Sequence, residues 1–578
     1  MDDERCFFLV DTRKIKKVVV LSKWKGSIGI SGHHVIAIQY GNRVGLQQFA
    51  EFCTIVDKKI LANGLVSHFE LILFKLLNMK GAILRAFVFP LCFALLSFAH
   101  GQSSQKYWIH LNSQSERGLD SLAGLLKTDQ IQIENTSYWL SAISANLNVG
   151  QLETVQAYDF VSTITKVNSN FQTAGAFFEP SSYGDFLDGM EPEVFYEKGL
   201  DGEGVVVGII DAGFVDADSS ALFKTFYEDG RVLGFRDFID PGRSDLYESV
   251  TDGDFHGRRV WGFLAGNDEE KGHQEGLASG ASFYLARTEN GDKEHRVEED
   301  DWIAAMEWMH SKGVRLINTS LGYSEFDDST ENYVYSDMNG RTTMISRATE
   351  KAVNEKGITF VVSAGNMGGK PWRIITAPAD VRGVITVGAV EKKQWSKAGY
   401  SSVGVDFVDY VKPNISSYSN RGTSYSAPSV CGFVACLMEY KPSLTNLELQ
   451  EVLEKSGHLY PFANNYIGYG MPRASVALSV IDSTFGESYD TWQYVPKPGQ
   501  DRIIIDLNHD TDKNIVVFHK KDETHVLKQL VVSDKEKLGR KKDKIIRKKS
   551  KFSFQLNRPE GVKQSTVHAG DQVIEVIW

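Results

Sequence analysis

Residues 205–211 read Val-Val-Val-Gly-Ile-Ile-Asp, an unbroken apolar run closed by a carboxylate. A strand with one wet face alternates apolar and polar residues, whereas a run without alternation is buried on both faces, as strands of parallel sheets are. Four more such runs follow: Ser282–Ala286, Val314–Asn318, Thr359–Ser363 and Val384–Val387. Apolar spacing predicts helices over Asp300–Lys312, Thr342–Lys356, Ser426–Glu439 and Asn446–Lys455. The fold class is therefore α/β, with a doubly wound parallel sheet whose chemistry lies at the carboxyl ends of its strands.

On either side of this block the pattern changes. Residues 107–169 predict strand, helix, two strands, helix, strand, over Tyr107–Leu111, Glu116–Leu126, Gln130–Asn135, Ser137–Leu147, Val149–Tyr158 and Phe160–Ser169. That order describes a small ferredoxin-like α+β module, followed by a polar linker within Asn170–Gly189. Beyond Asp490, Pro496-Lys497-Pro498-Gly499 reads as a hinge before strand-like runs at Arg502–Leu507, Asn514–His519, Phe552–Leu556 and Gln572–Ile577, a small all-β domain over 486–578. Ten Lys or Arg lie between Lys535 and Lys551 without aromatics among them, the composition of a solvated loop.

Met79-Lys80 and Arg85 precede fourteen apolar or small residues, Ala86–Ala99, and then His100-Gly101. This is a signal-peptide layout over 79–101, shorter than the roughly 20 residues that span a bilayer. Either translation begins at Met79 and residues 1–78 are a gene-model extension, or the segment anchors the chain behind a cytoplasmic tail. The expected location is extracellular or cell-envelope, with the membrane met only during export. Processing removes Cys6, Cys53 and Cys92. Cys431 and Cys436, five apart on a predicted helix, would stand roughly 8 Å apart, too far for a disulfide.

The composition, 42% hydrophobic and 24% charged over 578 residues, is that of several globular domains, and the formal charge of -11 argues against a nucleic-acid partner. No His or Cys cluster has metal-ligand spacing, so no metal site is assigned and no cofactor is required. Acidic stretches such as Asp252-Gly253-Asp254 and Glu298-Glu299-Asp300-Asp301 offer oxygens for calcium as a structural ion, although such charge is more often solvated.

Four words stand where a parallel sheet presents groups to a ligand. Asp211-Ala212-Gly213-Phe214 closes the first run, and His256-Gly257 follows an acidic loop and opens a helical stretch. Ser363-Ala364-Gly365-Asn366 ends a strand with a side-chain amide able to donate to an oxyanion. Gly422-Thr423-Ser424-Tyr425-Ser426-Ala427-Pro428 sets Ser424 at a helix N-terminus, where the dipole favours developing negative charge, with Pro428 near the first turn. Taken singly, each has an ordinary explanation as a cap or a structural residue.

Together with Asn318-Thr319-Ser320-Leu321-Gly322, these words and their order resemble the subtilisin family of serine peptidases over about residues 185–480, and the Ile-Asp-Ala-Gly-Phe setting looks like secreted Bacteroidetes-type members. The resemblance implies a peptidase domain over 186–485 in which Ser424 attacks the peptide carbonyl, His256 moves the proton and Asp211 orients His256. It implies Asn366 as the oxyanion donor, and Ser320, Leu321, Gly322, Ser363, Ala364 and Gly365 as edges that pair with protein or peptide substrates. By the same comparison, 102–185 is a propeptide and linker, a partner of the domain it inhibits, removed by self-cleavage. The rival is a degenerate peptide-binding module, which usually has lost a chemical residue. Two departures from the family pattern are Arg258-Arg259 after His256-Gly257, and a short Asn414–Gly422 connection before the nucleophile.

Overall fold

A computed structural model describes residues 6–9, 19–22, 105–112, 116–158, 160–167, 184–248, 253–290, 296–326, 329–393, 395–483, 490–507, 514–532, 544–548 and 551–578. They fall into two units, Met1–Ser103 and Ser104–Trp578. In the first, Cys6–Leu9 pairs antiparallel with Val19–Ser22. The 79–101 segment, Cys53, Cys92, Asp252 and most of the 170–189 linker lie outside the described residues. Among the described residues no helix is long and apolar enough to cross a membrane.

The centre of the second unit is a seven-stranded parallel sheet. Its strands are β1 (Val206–Asp211), β2 (Val232–Asp237), β3 (Ser282–Arg287), β4 (Leu316–Thr319), β5 (Thr359–Ser363), β6 (Ile385–Val390) and β7 (Ile415–Tyr418), in the spatial order β7-β6-β5-β4-β1-β3-β2. β1 lies where the winding reverses, the place at which open α/β sheets bind ligands. Its last residue, Asp211, pairs in register with Arg287 of β3. β4, β5 and β6 are buried along their whole length, which accounts for their unbroken apolar character. The edge strands β2 and β7 were not predicted. β2 is half-buried, and β7 is only four residues long with two serines in its middle.

Four helices matter for the site: α1 (His256–Ala265), α2 (Val297–Ser311), α3 (Met344–Lys356) and α4 (Thr423–Tyr440). α4 is buried from Thr423 through Met438 and packs against β4–β7 and α1, so it needs no polar face. α1 is fixed by Trp261, fully buried and stacked on Phe223 at 4.2 Å, with Phe226 and Phe283 around it. Burying a side chain of phenylalanine size contributes about 1.5–3 kcal/mol, so this cluster holds the α1 backbone firmly. Cys431 and Cys436 are both buried and free, in keeping with their spacing.

The acids 298–301 lie at the start of α2, which begins three residues before the expected Asp300, and in its first turn carboxylates complement the helix dipole. All four are buried and bonded to protein groups, for example Tyr333 to Glu299 at 2.8 Å and Asn135 to Asp301 at 3.0 Å. This places them in the packing of the chain.

Residues 105–166 form a four-stranded antiparallel sheet in the order Ile133–Ser137, Ala142–Leu147, Gln105–Leu111, Val161–Lys166, with helices Glu116–Thr128 and Val149–Gln156. The second helix starts at a capping box between Asn148 and Gln151. One face of the sheet buries Ile109, Leu122, Leu126 and Ile143 against those helices. Its opposite side meets α2, where Asn135 reaches Asp301, Ser144 donates to Asp300 at 2.7 Å and the Tyr138 N–H donates to Glu307 at 3.1 Å.

After Asp490, a five-stranded sheet and a three-stranded sheet face each other across Ile503, Ile505, Phe554, Ile515, Val567 and Ile574. Lys544–Lys548, expected within a solvated loop, is an edge strand of the smaller sheet. The sandwich is joined to loops of the parallel-sheet domain by His568 stacked on Trp395 (5.3 Å) and by Val526 N–H donating to Asn465 (2.9 Å).

Candidate active site

Asp211 leaves the carboxyl end of β1, and His256 is the first residue of α1. Their close approach is set by two glycines. A Cβ on Gly257 would stand 2.5 Å from the Gly213 carbonyl oxygen and 2.9 Å from Asp211 Cβ, and one on Gly213 would stand 2.7 Å from Asp254 Cα. With that space open, His256 Nδ1 lies 2.6 Å from Asp211 Oδ1, which also accepts the Ala212 N–H at 2.8 Å. Asp211 is fully buried and His256 nearly so. Gly257 thus lets the Gly213 backbone come close.

Ser424 is the second residue of α4. Pro428 falls in the second turn of that helix, later than expected, and lacks the N–H that would bond the Ser424 carbonyl. The Ser320 hydroxyl fills that vacancy, donating to Ser424 O at 2.9 Å. The Ser424 hydroxyl donates to the Ser320 carbonyl at 3.3 Å. The end of β4 is thus pinned to the first turn of α4, a role for Ser320 that the sequence did not suggest. The signal lay in the proline, whose missing donor calls for another.

Asn366 follows β5. Its Oδ1 accepts the Thr423 N–H (2.8 Å) and the Thr423 hydroxyl (3.2 Å), while Gly365 N–H donates to Thr423 Oγ1 (3.0 Å). Only the oxygen of an amide can accept from a backbone N–H, so Nδ2 is left as the donor. His256, Ser320, Leu321, Gly322, Ser363, Gly365, Asn366 and Ser424 line one cleft, joined there by Met367 and Thr376. Ala364, expected on the second substrate edge, is fully buried and its N–H donates to Val387 O at 2.9 Å, so its side chain belongs to the core.

The two departures have structural answers. Arg258 lies over the Phe255 ring at 6.0 Å, and the Arg259 guanidinium offsets part of the burial that pushes the Tyr425 hydroxyl up. The short connection before α4 is anchored by Lys412, buried and donating to Thr386 Oγ1 and Asn414 Oδ1, each at 2.9 Å, and it contains β7.

Arg287, not singled out from the sequence, ends β3 beneath this site. Its Nε donates to Ala212 O (3.0 Å) and Asp254 Oδ1 (3.2 Å), and its Nη1 to Asp237 Oδ2 (3.1 Å). One guanidinium therefore binds the loop after Asp211 and the loop before His256.

Residues 202–470 match the model of the subtilase family of peptidases. Subtilisin DY of Bacillus licheniformis is 28% identical over 269 residues, 45% of this chain and 85% of its own length. Subtilisin NAT of Bacillus subtilis subsp. natto is 28% identical over 49% of this chain and 68% of its own. An alkaline protease of Shouchella clausii is 24% identical over 66% of this chain and 93% of its own. The solved epidermin leader peptide processing serine protease of Staphylococcus aureus shares the fold at a TM-score of 0.50 and 17% identity, covering 66% of this chain and all of that one. Nothing in these comparisons favours the degenerate binding module. The matched family model, the parallel sheet and the cleft at its carboxyl edge agree: residues 202–470 form a subtilase-family domain, that of a serine endopeptidase.

Proposed function

We propose that the chain is an exported endopeptidase made as a self-processed precursor, with Ser424, His256 and Asp211 as its catalytic triad. Ser424 Oγ attacks the peptide carbonyl carbon and its proton passes to His256 Nε2. Asp211, bonded at Nδ1, fixes the ring and stabilises the imidazolium. His256 then gives the proton to the leaving amine, and water repeats the sequence on the acyl-enzyme. To reach His256 the Ser424 hydroxyl gives up its long 3.3 Å bond to Ser320 O, and catalytic hydrogen bonds often tighten only when substrate binds. Asn366 Nδ2 and the Ser424 N–H receive the oxyanion. Residues 320–322 and 363–365 pair with an extended substrate backbone. The observation that carries this reading is the 2.6 Å contact of buried Asp211 with His256 on the same cleft as Ser424. A fluorophosphonate probe tests it: the label is expected on Ser424 and nowhere else, and labelling of another serine, or none, refutes it.

Asn366→Leu removes the side-chain donor while keeping the volume. Turnover is expected to fall roughly 10²–10³-fold, the scale seen when a subtilisin gives up such a donor, with KM little changed. A kcat within a factor of three of the parent would remove Asn366 from the mechanism.

The 105–166 module is read as the inhibitory propeptide, and its contact with α2 gives its release a pH sense. Burial pushes Asp301 and Glu307 up to about 7 from ordinary values of 3.8 and 4.5, with Lys106 pulling Asp301 back and Ser137 doing the same for Glu307. A pKa raised in the docked state means that docking takes up protons. The contact is fully favoured below the undocked values and is lost as pH rises through about 7. Gel filtration of cleaved protein is expected to keep the module bound at pH 6 and to separate it at pH 8.5. Asp301→Asn with Glu307→Gln should abolish the difference. Equal retention at both pH values in the parent protein would sink the assignment.

A further inference from the structure

The substrate rim at 320–322 runs directly into Tyr323, a buried residue whose backbone pairs with Ala377 in both directions, at 2.9 and 3.1 Å. Its hydroxyl donates to Glu289 Oε1 at 2.6 Å, and the Thr288 hydroxyl donates to the same oxygen at 3.1 Å. Glu289 lies two residues beyond β3 and is 0% exposed. The neighbouring Thr288 N–H donates to the backbone carbonyl of Asp211 at 3.1 Å. A chain of contacts thus runs from the rim through Tyr323 and Glu289 to the residue that orients His256. A second pair of the same kind lies ten residues on: Tyr333 donates to both oxygens of Glu299 at 2.8 Å, and its N–H donates to Ser324 O at 2.9 Å. Buried hydroxyl–carboxyl contacts therefore hold the chain where it leaves the rim.

We propose that Glu289 is a positioning residue of the peptidase site, its contact with Tyr323 tying the substrate rim to the strand end that carries Asp211. This rests on the proposed triad. Glu289 works as a neutral acid. Its Oε2 has no partner among the described residues, and a bare carboxylate oxygen in a dry site costs far more than a bare hydroxyl. Burial pushes the group up to about 8. Asp211 and Asp301 push the same way, while Tyr323 and Thr288 pull back. Glu298 and Glu299 add negative potential around Tyr323. Ionisation of Glu289 would set a second negative charge beside Asp211, so the function of the rim should decline as pH rises through that ionisation.

The test is kcat and KM of the full chain on a peptide anilide from pH 6 to 10. Removing a hydrogen bond to a buried acid typically costs a factor of about 3–10. Tyr323→Phe and Glu289→Ala are therefore expected to raise KM about 3–10-fold at pH 7 with a smaller change in kcat. Glu289→Gln, which keeps the acceptor, should recover most of that KM loss and remove the decline above pH 8. In infrared spectra the parent at pH 6 should carry the carbonyl stretch of a neutral acid that Glu289→Gln lacks. If the parent cleaves peptide but its profile matches that of Glu289→Gln, or the infrared band is absent, or Tyr323→Phe keeps the parental KM, the inference fails while the triad stands. A parent that cleaves nothing at any pH overturns the proposed function and this inference with it.

Discussion

Ser424→Ala should leave a folded chain that cuts casein roughly 10⁶-fold more slowly than the parent and never trims its own N-terminus. The magnitude is that of removing a nucleophile or base from a unit that works only as a whole. What remains is the binding of substrate and the oxyanion donors, since Asn366 Nδ2 and the backbone N–H of residue 424 both survive. Folding should be untouched. The lost side chain is small, its bond to Ser320 O is long at 3.3 Å, and the stronger link from the Ser320 hydroxyl to the residue-424 carbonyl is kept. His256→Ala should cost about as much, and the double variant little more than either single one, because groups acting in one step are not additive. Casein hydrolysis, N-terminal sequencing and a melting curve decide it. A variant that processes itself and cuts casein at the parental rate would show that the hydrolytic group lies elsewhere.

The sequence announced the parts of the site that are spelled out in words and hid those that exist only through burial. β1 and β5 are sealed on both faces, so their composition alone marks them as central strands. β7 is different. Ser416 and Ser417 are buried only because their hydroxyls donate to Ile467 O (3.2 Å) and Ser426 O (3.1 Å), partners that no local pattern reveals. The acids 298–301 looked like solvent-facing charge because four carboxylates in a row seldom go inside. Here the module supplies Lys106, Ser144 and Asn135, and Tyr333 supplies a donor. Asp211, His256, Asn366 and Ser424 were legible because glycines and small residues beside them leave a recognisable imprint. Glu289 and Arg287 carry no such imprint, and an arginine at a strand end ordinarily reaches water.

Arg287 is where that hidden part should cost most. Its guanidinium is 2% exposed and serves two carboxylates and a carbonyl: Asp237, Asp254 and Ala212. Arg287→Met keeps much of the stem's packing but takes the guanidinium away from Asp254 and Asp237, leaving Asp237 with the Ile239 and Asp240 N–H bonds at 2.9 Å and the longer Arg243 contact at 3.4 Å. Breaking a buried ion pair by removing one partner typically costs about 3–5 kcal/mol, because the remaining charge has lost its compensation. Stability measured in denaturant should fall by that amount, and kcat with it, since the loops bearing Asp211 and His256 lose their common anchor. Arg287→Lys should recover only part of either loss, for one ammonium cannot reproduce a planar fork that reaches two loops at once. Replacing Asp254 and Asp237 by asparagine in the Arg287→Met background should recover stability, because the cost comes from uncompensated charge. If that triple variant regains stability while kcat stays low, the arginine positions the triad as well as neutralising the acids. An Arg287→Met chain that unfolds at the parental denaturant concentration would mean that the Gly213–Gly257 contact holds the loops without it.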